Sequence, residues 1–134
     1  MTSKARSAGA GGWNILIVED NWLIGIEMEA TLSEAGFSVV GVARNVKDAL
    51  RLCRQKRPQV VLMDVMLAGG DDGIDAAVEI RQRYGIPSVF VTAHGDSATR
   101  ARAEPAEPLG WIVKPIVSAE LVRRLAAIQR SLQG

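Results

Sequence analysis

Cysteine is nearly absent: Cys53 stands alone, which excludes an intramolecular disulfide and a cysteine-based zinc site. Long apolar runs are missing as well, and none approaches the length that spans a membrane. The amino terminus carries Lys4 and Arg6 with no apolar core behind them, so it does not read as a signal peptide. Neither sign of charge dominates. A formal net charge of +1 gives no electrostatic case for binding nucleic acid or an anionic membrane. With no span and no export signal, the cytoplasm is the expected location. Internal repeats are absent, and no low-complexity block lies outside residues 1–12.

What is present has the composition of a soluble globular protein, 48% hydrophobic and 23% charged. A chain of 134 residues forms one domain and buries roughly two-thirds of its unfolded surface. Residues 1–12, rich in Ser, Ala and Gly, read as a flexible N-terminal tail, and residues 13–132 as the folded domain. No residues are spare for a second domain, so a fused output domain is not expected.

The stretch that organises the rest is Val60-Val61-Leu62-Met63-Asp64. A short continuous apolar run suits a strand buried on both faces of a parallel sheet. Pro58 precedes it, where a missing N–H is tolerated, and Leu67-Ala68-Gly69-Gly70 follows as loop. Taken alone, the run could equally end in a carboxylate that only starts a turn. The other segments repeat the theme. Trp13–Val18 is a second apolar run and ends in Glu19-Asp20. Ser38–Ala43 is a strand that delivers no acid, Pro87–Thr92 ends in a hydroxyl, and Trp111-Ile112-Val113 ends in Lys114-Pro115.

Between the strands the apolar spacing predicts helices over 21–35, 45–56, 72–84 and 95–103, with a last one capped by Ser118. Asn45 is the expected N-cap of the second, and Gly36 and Gly85 end the first and third. Cys53 lies on the apolar stripe of Val46, Ala49 and Leu50, so it reads as core rather than reactive thiol. Pro105 and Pro108 cut off the fourth helix. Strands and helices alternating five times specify an α/β fold, a doubly wound five-stranded parallel sheet with five helices. In the order 2-1-3-4-5, a flavodoxin-like three-layer sandwich, the strand without a polar terminus lies at the edge.

The other four strand ends, Glu19-Asp20, Asp64, Thr92 and Lys114, would then share one crevice. Three carboxylates against one lysine leave a formal excess of −2, which calls for a counterion. Hard oxygen ligands with open water positions describe a Mg²⁺ site that expects a phosphate. A metal, a lysine and a hydroxyl aimed at phosphoryl oxygens equip a site for phosphoryl transfer, and a carboxylate can itself be the acceptor.

Four pieces, Ile17-Val18-Glu19-Asp20, Val61-Leu62-Met63-Asp64, Val91-Thr92-Ala93 and Trp111-Ile112-Val113-Lys114-Pro115, together resemble the receiver domain of two-component response regulators. The resemblance runs from Trp13 to about Leu132. It implies that Asp64 accepts a phosphoryl group from a sensor histidine kinase or a histidine phosphotransfer protein. It further implies Mg²⁺ held by Asp20, by Glu19 largely through water, by Asp64 and by the backbone carbonyl of Met66. Thr92 would be the switch hydroxyl and Lys114 the phosphoryl contact. Lys114-Pro115 matches the family's cis peptide, with Pro115 as the cis proline. Trp111 falls where the family has an aromatic that rotates with the switch threonine; the other reading is a tryptophan packed at a strand start.

Two features depart from the family pattern. The loop after Asp64 is one residue longer before Gly73, with Ala68 in place of the usual proline, and the fourth helix is short. Asp71, Asp72 and Asp75 read as a solvated acidic turn, and Arg123, Arg124 and Arg130 as a solvated helix face. His94 reads as an exposed loop residue near the crevice, and Trp22 as bordering it. The expected function is a single-domain, Mg²⁺-dependent phosphorylation switch in a phosphorelay, not a turnover enzyme. Its downstream target would be a protein, with no direct nucleic acid contact, and the pattern leaves room for a homodimer. The rivals are a pseudo-receiver that binds partners without phosphorylation and a hydrolase using an aspartyl-phosphate intermediate.

Overall fold

The structure, a computed structural model, describes residues 12–133. The expected tail lies outside the described residues except for Gly12, whose N–H donates to the Gly36 carbonyl at 3.2 Å. Five strands, β1 (Asn14–Val18), β2 (Ser38–Ala43), β3 (Val60–Met63), β4 (Ser88–Thr92) and β5 (Gly110–Val113), form one sheet. Every pairing is parallel, and the order is β2-β1-β3-β4-β5. The helices are α1 (Trp22–Glu34), α2 (Val46–Lys56), α3 (Gly73–Tyr84), α4 (Ser97–Arg102) and α5 (Ser118–Gln133).

The two-residue period of the strands sorts their side chains onto two cores. Leu16, Val18, Val61, Met63 and Phe90 face Ala49 and Cys53 of α2 and Ile74, Ala77 and Ile80 of α3. Ile15, Ile17, Leu62, Val89, Val91 and Ile112 face Met28 and Leu32 of α1 and Leu121 and Leu125 of α5. All four residues of β3 are buried because both faces are covered, which is why the run contains no polar break. Truncating a buried leucine such as Leu62 to alanine would cost about 2–5 kcal/mol.

Local signals set the helix ends. Asn21 Oδ1 accepts from Ile24 N–H at 3.1 Å and starts α1, and the chain leaves that helix through Gly36 at φ 97°. Asn45 Oδ1 accepts from Asp48 N–H at 2.8 Å and starts α2. Asp72 caps α3, and Gly85 ends it at φ 69°. Two expectations are corrected. Leu121 N–H bonds the Val117 carbonyl, which places Ser118 inside the first turn of α5 rather than at its cap; its hydroxyl lies 3.2 Å from that of Thr31. The fourth helix, expected over 95–103, is only Ser97–Arg102, capped by Asp96, with a 3₁₀ turn at Glu104–Ala106 where Pro105 forbids continuation.

Candidate functional site

The sheet reaches into the site through its backbone. Glu19 N–H bonds the Ala43 carbonyl at 2.9 Å, Asp64 N–H bonds Val18 at 3.2 Å, and Lys114 N–H bonds Thr92 at 2.9 Å. Glu19, Asp64 and Lys114 are thus each one step past a strand end yet still tied to the neighbouring strand, and Thr92 is the last residue of β4. This fixes the side chains at the carboxyl edge of β1, β3, β4 and β5, beyond the middle of the sheet.

The Lys114 ammonium donates to Glu19 Oε1 at 2.6 Å and to Asp64 Oδ2 at 2.8 Å. Glu19 is 2% exposed and Asp64 7%, so both carboxylates are largely withdrawn from water. Burial pushes the Glu19 carboxyl above its usual range, although Lys114 and the Asn21 N–H at 3.0 Å both favour its charge. Burial also opposes the charge on Lys114, but hydrogen bonds to Asp64 and Glu19 outweigh it and raise its pKa. Oxygens of Glu19, half-buried Asp20 and Asp64 all lie within 4.8 Å of one another. One ammonium cannot neutralise three carboxylates, and the donors are all hard oxygens, so the cluster suits a small divalent cation.

The loop after Asp64 closes back on itself. Leu67 N–H bonds the Asp71 carbonyl at 3.1 Å and Gly73 N–H bonds the Val65 carbonyl at 2.6 Å, flanking a Met66–Asp72 bridge. Neither bond uses the Met66 carbonyl. The extra residue is absorbed in a 3₁₀ turn at Ala68–Gly70, where Gly69 and Gly70 take φ of 75° and 80°. Val65 and Leu67 point into the core while the Met66 side chain is exposed.

Thr92 is fully buried, and its Oγ1 accepts from the backbone N–H of His94 at 3.1 Å. The Lys114–Pro115 peptide is cis, as the motif implied for Pro115. Trp111, on β5, stacks on Phe90 with centroids 4.5 Å apart, and the Arg100 guanidinium lies over its ring at 5.1 Å. His94 is exposed, and Trp22 is exposed beside the acidic pair.

Four residues have structural roles that were not read from the sequence. Asp71 and Asp72 do more than form a solvated acidic turn: Asp71 Oδ2 accepts from Val46 N–H at 3.0 Å, and Asp72 caps α3. The signal was there, since Asp72 stands immediately before a helical pattern. Arg124 is not merely solvated, because its Nη2 donates to the Trp111 carbonyl at 2.7 Å. Gly73 is required by space: a Cβ there would overlap the carbonyl oxygen of Asp64.

A doubly wound parallel sheet with an acidic pocket at its topological switch point defines the flavodoxin-like class. Within that class, the family model of the response regulator receiver domain matches residues 15–126, and the chain belongs to that family. It is 33% identical over 119 residues to the phyllosphere-induced regulator PhyR of Methylorubrum extorquens, covering 87% of this chain and 45% of PhyR. It is 35% identical over 108 residues to the transcriptional regulatory protein PdtaR of Mycobacterium tuberculosis, covering 81% of this chain and 52% of PdtaR. The chain spans about half the length of these curated relatives. The signal receiver domain of a modulated diguanylate cyclase from Desulfovibrio desulfuricans superposes with a TM-score of 0.76 at 31% identity, over 90% of this chain and 98% of that one. Among the described residues no helix is long and apolar enough to cross a membrane.

Proposed function

We propose that Asp64 is the phosphoacceptor of a two-component phosphorelay, charged by a sensor histidine kinase or a histidine phosphotransfer protein. The observation that carries this is the Asp64 carboxylate itself, buried and held at 2.8 Å by Lys114 beside the Glu19 and Asp20 carboxylates. One Asp64 oxygen bonds to phosphorus as the phosphorus–nitrogen bond of the donor phosphohistidine breaks. The electron pair stays with the imidazole, and the product is an acyl phosphate. Lys114 is placed to shift part of its charge from Glu19 and Asp64 onto the new phosphoryl oxygens. Glu19, Asp20, Asp64 and the Met66 carbonyl would hold Mg²⁺, which when bound supplies further charge neutralisation at those oxygens.

The switch follows from the polar groups around the acceptor. Thr92 exchanges its bond from His94 N–H for one donated to a phosphoryl oxygen, which disturbs the loop that leads into α4. Trp111, in contact with both Phe90 and Arg100, carries the change to the α4–β5 surface and alters which protein target binds there. A homodimer through this surface is one form of that output. The domain assists its own phosphorylation and dephosphorylation but turns over no separate substrate. A donor charged from ATP sets its place in the cytoplasm.

Intact mass after incubation with Mg²⁺ and acetyl phosphate tests the assignment. The wild type should gain one phosphoryl group, and Asp64→Asn should gain none. An unmodified wild type that also fails to bind Mg²⁺ would leave a constitutive interaction module in place of a switch.

A further inference from the structure

The charge of this nearly neutral chain is unevenly spread. Residues 44–57 carry Arg44, Lys47, Arg51, Arg54, Lys56 and Arg57 against one carboxylate, Asp48, whereas the whole chain has a net charge of +1. On the opposite side of the sheet, α1 carries Glu27, Glu29 and Glu34 and no cation. Where α2 meets α3 there is a cleft of about 330 Å³ lined by Lys47, Leu50, Arg51, Arg54, Arg83 and Tyr84. Its lining thus has four cations, two apolar or aromatic side chains and no carboxylate.

Local pairing leaves much of this charge unspent. Arg51 meets Asp48 at 3.4 Å and Arg83 meets Glu79 at 3.1 Å, both as exposed pairs, while Lys47 and Arg54 form no ion pair among the described residues. Arg57 lies over the Tyr84 ring at 5.2 Å and fixes one wall. Lys47, Arg51 and Arg54 fall at i, i+4 and i+7, so they share one side of α2. Like charges held together on a rigid face without counter-charges are a standing electrostatic cost that an anionic partner would relieve.

We propose that this cleft docks an acidic amphipathic segment of a protein partner. Its carboxylates would face Lys47, Arg51 and Arg54, and an apolar side chain would sit on Leu50 and Tyr84. Nucleic acid fits less well. The aligned cations cover only about 10 Å of α2 at 1.5 Å per residue. The whole chain, at a pI of ≈ 7.9, also lacks the strongly basic balance of nucleic-acid-binding domains. The surface shares no residue with the Asp64 pocket, so it can be occupied whether or not Asp64 is phosphorylated.

The probe is a fluorescein-labelled helical peptide with Glu at i, i+4 and i+7 and Leu at i+3, beside the same peptide with Gln for Glu. Fluorescence anisotropy on the full chain would be read at low salt and at several-fold higher salt. Lys47→Glu is the main variant, because a carboxylate in the first turn of α2 suits the helix dipole and keeps the fold; Arg54→Ala is the second. The wild type should bind the Glu peptide saturably and lose it as salt rises. Lys47→Glu should bind about tenfold more weakly or worse, with acetyl phosphate labelling of Asp64 unchanged. Equal binding by the variants, no saturable binding, or a preference for a DNA duplex over the peptide would each overturn the proposal. So would salt-sensitive self-association that Glu27→Gln abolishes, since the cleft would then serve a second copy of this chain.

Discussion

Arg102 Nη1 lies 2.9 Å from Oδ2 of Asp72, so α4 is tied to the residue that starts α3. The same carboxylate accepts Ile74 N–H at 2.8 Å through Oδ1. Asp72 therefore joins the loop after Asp64, the first turn of α3 and the segment that follows Thr92. A second pair, Arg81 with Glu107 at 3.1 Å, fastens the chain just past the 3₁₀ turn to α3 as well.

Asp72→Ala removes cap and ion pair together and is expected to cost about 1–2 kcal/mol. Asp72→Asn keeps an acceptor and should cost less. Partial burial opposes the charge on Asp72, but hydrogen bonds from Arg102 and from the Ile74 and Asp75 amides outweigh it and hold the carboxyl below its usual range. A depressed folded pKa contributes stability above the ordinary aspartate range, and that contribution is lost as pH falls through the depressed value. Urea titrations should show wild type more stable than Asp72→Asn near neutral pH and the two converging on acidification. A separation that ignores pH would show that the charge on Asp72 contributes nothing.

Lys114→Met leaves Glu19 and Asp64 buried without their cation, at a cost of about 3 kcal/mol when no divalent ion is present. Millimolar Mg²⁺ should restore part of that loss, because the carboxylate cluster then has another partner. In the wild type the raised pKa of Lys114 acts in the opposite pH direction from Asp72. Its contribution is complete below the ordinary lysine range and fades as pH rises through the raised value. Denaturant melts with and without Mg²⁺ decide the matter; a variant as stable as wild type in chelator would refute the role of the ammonium.

Gly73→Ala puts a methyl group onto the Asp64 carbonyl, and only backbone movement can relieve the overlap. A loss of about 1–3 kcal/mol is expected, together with slower phosphoryl labelling, because the carbonyl belongs to Asp64, the proposed acceptor. Gly85→Ala is the control. Its φ of 69° is strained for alanine, but nothing lies within 4 Å of the added carbon. It should lose about 1 kcal/mol and label at the wild-type rate. Equal labelling by both variants would separate Gly73 from the site.

Burial pushes the Cys53 thiol up to about 11. The native protein at mildly alkaline pH should therefore resist an aromatic disulfide reagent, and the denatured chain should react with one equivalent. Rapid reaction of the folded protein would place Cys53 outside the core that it shares with Ala49 and Ile80.

The fold was legible because its strands are apolar runs closed by polar residues, and β3 shows why. A strand covered on both faces tolerates no polar break, so Asp64 marks the point where the chain leaves the core. Glu19, Asp20, Thr92 and Lys114 were read at the same edge for the same reason. The loop between Asp64 and Gly73 was not legible. Its path depends on a Met66–Asp72 bridge and two glycines at positive φ, which are tertiary and conformational facts with no periodic trace. The bond from Arg124 to the Trp111 carbonyl was missed for a related reason: a half-exposed arginine on an amphipathic helix looks solvated until the neighbouring strand's carbonyl is in place.

The helix α4 has six residues and none of them is buried. A helix that short has no stability of its own in water, so side-chain tethers to its neighbours hold it. Its amide protons should exchange through local opening, with an opening free energy far below that of global unfolding, while those of β3 and β4 exchange only when the whole sheet comes apart. The molecule is thus built on two clocks, with a slow one for the strands that aim Asp64 and a fast one for the short helix that follows Thr92.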